Sequence, residues 1–126
     1  MTVIVTDKGF TRVEETLSDD PQVLDLASDT DPEEVDFAAA SMIRVEFPSF
    51  ADGRGFTIAT VLRRRGYTGT LRAKGHVIAD QYAMARRSGF DEVEISDDLA
   101  ARQPEDQWLF RANWRAHDYQ SRLRAG

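Results

Sequence analysis

Two short stretches of the chain gather residues able to hold a small anion. The first, Glu46-Phe47-Pro48-Ser49-Phe50-Ala51-Asp52-Gly53-Arg54-Gly55-Phe56-Thr57, joins a predicted strand to a predicted helix. Gly53 and Gly55 permit close backbone approach, N–H groups at a helix start point outward, and Arg54 adds a fixed charge. The same residues also fit a capped turn, with Asp52 as cap and Arg54 paired with a surface carboxylate. The Gly-x-Gly has neither the third glycine of a dinucleotide fingerprint nor the Gly-Lys-Ser/Thr of a P-loop. The second stretch, Leu71-Arg72-Ala73-Lys74-Gly75-His76-Val77-Ile78-Ala79-Asp80-Gln81, is another strand-to-helix junction. In a parallel sheet both junctions open at the carboxyl edge of the strands, where ligands bind. The expected ligand-binding set is therefore Asp52, Gly53, Arg54, Gly55, Arg72, Lys74, His76 and Gln81. Strand alternation puts Arg72 and Lys74 on one face, so Arg72 alternatively lies buried against a carboxylate.

His76 and Asp80 are four residues apart and would share a helix face, as a base oriented by a carboxylate or as a surface pair beside a cap. They are the candidate catalytic residues, and no reaction follows from them. A metal site would need further ligands, and nothing orders the distant His117 and Asp118 toward His76, so no metal is expected. The chain has no cysteine, which removes disulfides, thiolate metal sites, cysteine-ligated iron–sulfur clusters and a cysteine nucleophile. No Ser-His-Asp or paired-carboxylate arrangement stands out, and no cofactor is expected.

Stepping from strand to strand, the chain predicts an N-terminal hairpin, Val3–Val5 against Phe10–Val13 across Asp7-Lys8-Gly9, followed by a polar connector to Pro21. Strands are expected at Val23–Ala27, Met42–Phe47, Thr70–Ala73 and Glu92–Ser96. Helices are expected as a short one through Val35–Ala39, then Phe56–Arg65, His76–Ser88, and Pro104 to about Arg122. This order predicts a single α/β domain over 1–126, with the hairpin and connector in 1–21 and β-α units in 22–126. A mostly parallel open sheet is the first expectation, and a half-barrel completed by dimerisation is the alternative. On the last helix Trp108 belongs to an i+4 stripe with Ala112, Ala116 and Tyr119, whereas Phe110 lies well round from it. Aromatics on two faces, with Trp114, suit either a homodimer or partner surface or a helix buried on two sides. The runs Arg63-Arg64-Arg65 and Arg86-Arg87 close their helices, where positive charge complements the dipole.

The net charge is −6. Residues 1–41 carry a net −9 and the remainder +3, a distribution that repels a phosphate backbone, so nucleic acid is not expected as a partner. No segment reads as a signal peptide or membrane span, and a cytoplasmic location is expected.

The residues Glu46-Phe47-Pro48, Asp52-Gly53-Arg54-Gly55-Phe56, Leu62-Arg63, Gly66-Tyr67, Gly69, Leu71-Arg72-Ala73, Gly75, Val77, Asp80-Gln81 and Gly89-Phe90-Asp91 resemble the bacterial domain of unknown function 934 family. The resemblance implies a setting in assimilatory sulfite reduction. Members are commonly labelled probable oxidoreductases, because their genes lie beside those of a sulfite or nitrite reductase haemoprotein and a phosphoadenylyl-sulfate reductase. It implies a sulfite reductase or another sulfur-assimilation protein as partner, and a sulfur oxyanion or sulfated nucleotide as ligand. Here His76 stands where the family usually has Asp, Thr57 where Ser is usual, and Ser88 where Cys often sits. The expected role is an accessory or anion-binding protein, with a small enzyme acting on such a ligand as the alternative.

Overall fold

The alternating pattern resolves into a mixed α/β fold in a computed structural model that describes residues 2–13 and 21–112. Six strands form one sheet: β1 (Thr2–Thr6), β2 (Gly9–Val13), β3 (Val23–Leu26), β4 (Met42–Phe47), β5 (Thr70–Gly75) and β6 (Glu92–Ser96). Among the described residues four helices accompany them: α1 (Arg54–Arg64), α2 (Tyr82–Ser88), α3 (Asp97–Arg102) and α4 (Glu105–Arg111), with a 3-10 turn at Ala79–Gln81 leading into α2.

The sheet order is β2-β1-β6-β5-β4-β3. Strands β3 to β6 pair in parallel, with Ile43 facing Leu24 and Leu71, and Ala73 facing Val93. The expectation of a mostly parallel sheet is corrected here: the sheet is mixed. The hairpin strand β1 docks its free edge antiparallel on β6, with Val3 opposite Ile95 and Val5 opposite Val93, and carries β2 antiparallel on its other side. The reason lies in the pattern of burial. Val3 and Val5 must face the same way as Val93 and Ile95 to join one core, and a docked hairpin adds two antiparallel ladders.

Strand alternation divides the sheet into unlike faces. Val3, Val5, Ile43, Val45, Phe47, Leu71, Ala73, Val93 and Ile95 form one cluster with Ile58 and Leu62 of α1, Tyr82 and Ala85 of α2, Leu99 of α3 and Trp108 of α4. On β3 to β6 the intervening positions are Asp25, Arg44, Glu46, Arg72, Lys74, Glu92 and Glu94, so the opposite face of these parallel strands is charged, with the buried Ile4 of β1 beside Glu94. The parallel strands add in one direction without reversal. The crevice that a reversal creates in doubly wound sheets therefore does not arise among them, and a ligand site has to be sought along the strand ends and on the charged face.

Several expected helices differ. No helix forms over Val35–Ala39: Asp31 Oδ1 accepts the Glu33 N–H at 3.0 Å and Asp36 Oδ1 accepts the Ala38 N–H at 3.2 Å. Two aspartates thus close local turns in competition with helical bonds. The helix expected from His76 begins only at Tyr82. Helix α3 was not expected; Ser96 caps it, its Oγ accepting the Leu99 N–H at 3.2 Å. The last helix is described to Arg111, and its expected continuation to Arg122, with Trp114, Ala116, His117, Asp118 and Tyr119, lies outside the described residues.

Candidate functional site

The β4–α1 loop is occupied largely by its own residues. Asp52 Oδ1 accepts the backbone N–H of Arg54 at 3.1 Å and its Nε at 3.0 Å, while Oδ2 accepts Nη2 at 2.8 Å. Arg54 Nη2 also donates to Ser28 Oγ at 2.9 Å, at the end of β3. These hydrogen bonds, those of the Arg54 side chain first, hold the Asp52 carboxyl far below the usual carboxylate range and push the Arg54 guanidinium up. A forked carboxylate already meets the guanidinium, so an incoming anion would have to displace it. Gly53 precedes α1 with a φ of −90°. Gly55 answers to packing: a Cβ there would lie 2.6 Å from Phe47 Cε1, so glycine lets α1 close on the sheet.

The β5–α2 junction meets this loop on its other side. Gly75, at φ +117°, tucks against the Phe47 carbonyl, where a Cβ would come within 2.7 Å. The His76 N–H donates to that oxygen at 2.9 Å, and His76 Nδ1 lies 3.3 Å from it, within reach of a hydrogen bond in the tautomer protonated at Nδ1. The His76 ring stands edge-on to Phe50, with centroids 5.4 Å apart. Gln81 Nε2 donates to the Phe50 carbonyl at 2.9 Å while its Oε1 accepts the Ile78 N–H at 3.1 Å. Both ends of that amide are in use. Asp80 accepts from Arg111 Nη2 at 2.7 Å. His76 and Asp80 precede α2, so they do not share a helix face as their spacing had suggested, and Asp80 turns to α4.

The two junctions therefore do adjoin, His76 and Gln81 with Phe47 and Phe50, while Asp52 and Arg54 turn toward Ser28. Arg72 and Lys74 lie on the charged sheet face and part company there. Arg72 is 4% exposed, donating from Nε to Glu92 at 2.9 Å and from Nη1 to Glu94 at 2.9 Å. That is the buried ion pair that strand alternation allowed, and its charge is spent within the fold. Lys74 instead lines a cavity of about 290 Å³ at the carboxyl ends of β3, β4 and β5, together with Asp25, Leu26, Ala27, Arg44 and Glu46.

Asp25, Arg44 and Glu46 are the charged site residues that sequence reasoning missed. Arg44 is 5% exposed and forks onto Asp25, Nε to Oδ1 at 2.6 Å and Nη2 to Oδ2 at 2.8 Å, with Nη1 3.5 Å from Glu94. The hydrogen bonds from Arg44 hold the Asp25 carboxyl below its ordinary value, and the nearby charges of Arg44 and then Lys74 add to this against the opposing effect of burial. The reciprocal bond pushes Arg44 up. Among the described residues the side chains of Lys74 and Glu46 make no hydrogen bond or ion pair, although they are register partners across β4 and β5. The signal was present as Arg44-x-Glu46 on one strand and Arg72-x-Lys74 on the next, at the two-residue period of a shared face.

Other distinctive residues are structural. Arg63 donates to the carbonyls of Gly89 (3.0 Å), Tyr67 (2.9 Å) and Gly69 (2.8 Å) and to Asp91 Oδ2 (2.8 Å). Asp91 Oδ2 also accepts the Leu71 N–H at 2.9 Å. Arg65 caps the Pro32 and Val35 carbonyls. Arg86 and the Tyr82 hydroxyl both donate to Asp7 in the hairpin turn; burial first, and then this bond, push the Tyr82 phenol far up. Trp108 is buried and donates to the Gln103 carbonyl at 2.8 Å, whereas Phe110 is 70% exposed, the opposed faces that their spacing predicted. Among the described residues no three His, Asp or Glu converge as a metal site, and no helix is long and apolar enough to cross a membrane.

A family model described as bacterial protein of unknown function, DUF934, matches residues 23–125. Neither a curated protein nor a solved structure matches the chain. On the extent of the family match, the chain belongs to that family.

Proposed function

We propose that this chain is an accessory protein of assimilatory sulfite reduction that binds a small oxyanion at the carboxyl ends of β3–β5. The observation that carries the reading is Lys74, a half-buried cation without a side-chain partner among the described residues, set in a 290 Å³ cavity beside Arg44. A cation on a strand whose donors make no hydrogen bond within the fold can donate them to an anion from solution. Arg54, the cation that the sequence favoured, has Asp52 in that role. The sulfur setting rests on the family resemblance.

The accessory half of the reading is supported by what occupies the groups suited to proton transfer. His76 Nδ1 is at the Phe47 carbonyl, and Asp80 is paired with Arg111. The second reading, a small enzyme acting on a sulfur oxyanion or sulfated nucleotide, keeps one support: His76 is exposed at the same strand edge. Thermal unfolding in sulfite or phosphate separates the residues. The wild type and Arg54→Ala should gain melting temperature alike, and Lys74→Ala should gain little. A Lys74→Ala protein stabilised as much as the wild type removes the site. Turnover of a sulfur-pathway substrate by the purified chain without a reductase would establish the enzymatic reading in place of the accessory one.

A further inference from the structure

We infer that the cavity at the ends of β3–β5 selects an oxyanion that carries its own proton, such as hydrogen phosphate or hydrogen sulfite, over a fully ionised one such as sulfate. The inference deepens the anion-binding reading and rests on it. The lining holds two cations, Arg44 and Lys74, and two carboxylates, Asp25 and Glu46. Arg44 and Asp25 neutralise each other through a forked pair. That leaves Lys74 and Glu46, neighbours in register across β4 and β5, each without a side-chain partner among the described residues.

An ionised carboxylate has only acceptors to offer. Against sulfate, whose oxygens are all acceptors at neutral pH, Glu46 would set lone pair against lone pair and charge against charge. Against hydrogen phosphate it accepts the ligand's O–H, a charge-assisted bond, while the ligand's ionised oxygens accept from Lys74. A ligand lacking that proton gives the Glu46 carboxylate nothing to accept and brings a like charge against it, so it is disfavoured. Asp25 reinforces this: its carboxyl, held ionised by Arg44, places a second acceptor on the same wall.

Titration calorimetry of the whole chain with inorganic phosphate and with sulfate, at equal ionic strength, tests the inference. For the wild type, phosphate should bind at least tenfold tighter than sulfate. Glu46→Gln, an exposed position whose change the fold should accept, presents an amide N–H and should bring the two affinities within about threefold, chiefly by improving sulfate. Lys74→Met should weaken both. Sulfate binding as tightly as phosphate, or a preference unchanged in Glu46→Gln, overturns the proton selectivity while leaving the anion site standing. Affinities unchanged in Lys74→Met, or no binding of either anion, overturn the anion site and the selectivity with it.

Discussion

Asp25 shows how a residue unremarkable in sequence acquires its role from what the fold sets opposite it. Its strand partner is Arg44, which is buried and would lack its principal counter-charge without it. The folded-state carboxyl lies below its ordinary value of 3.8, so the pair contributes its full stability above that value. The contribution is lost only as pH falls below 3.8 through the lower folded value. Asp25→Asn should therefore lower stability at neutral pH by about 1–2 kcal/mol, after allowance for the half-exposed carboxylate. In urea unfolding the deficit should hold steady from about pH 5 upward and shrink below the ordinary carboxylate range. A deficit that grew on acidification would contradict the assignment. The expected cations could be read as residue types, but partners 19 and 50 positions away, Asp25 and Glu94 for Arg44, could not be assigned from one chain without the register.

At the scale of elements, the strands were legible because period-two alternation survives in each of them, down to the charged positions of β4 and β5. The helices were less so. Val35–Ala39 has apolar residues at helical spacing, but Asp31 takes the N–H of Glu33 just before it and Asp36 that of Ala38 within it, both into turns. His76 was placed on a helix because its apolar neighbours continue the α2 stripe, whereas Gly75 and the Phe47 carbonyl hold it in the junction. The Arg63-Arg64-Arg65 run read as helix-end charge, yet Arg63 ties the ends of α1 and α2 to the entry into β5. The fork is what does this, so lysine should not replace it. Arg63→Lys should cost about 1–3 kcal/mol by leaving carbonyls of Tyr67, Gly69 or Gly89 without a donor. Arg64→Lys, whose pair with Glu33 is exposed, should stay within about 0.5 kcal/mol of the wild type in the same denaturant titration.

For the whole molecule, the decisive feature is the division of one sheet into an apolar face under the helices and a charged face whose ion pairs are nearly closed. The α/β class and the hairpin could be read from element order alone. The direction in which the hairpin joins could not, because it depends on which edge of the sheet completes the Val3–Val5 core. The same division moves the candidate site. The loop with the most distinctive residues is spent on helix packing and its own ion pair, and the uncommitted charge sits on the strands beside it. Backbone amide chemical-shift mapping during a phosphate titration tests this most directly. The account predicts saturable shifts largest at Leu26, Ala27, Glu46 and Lys74, with only small changes from Gly53 to Thr57. Shifts centred on Gly53–Thr57, or none that saturate, would contradict it.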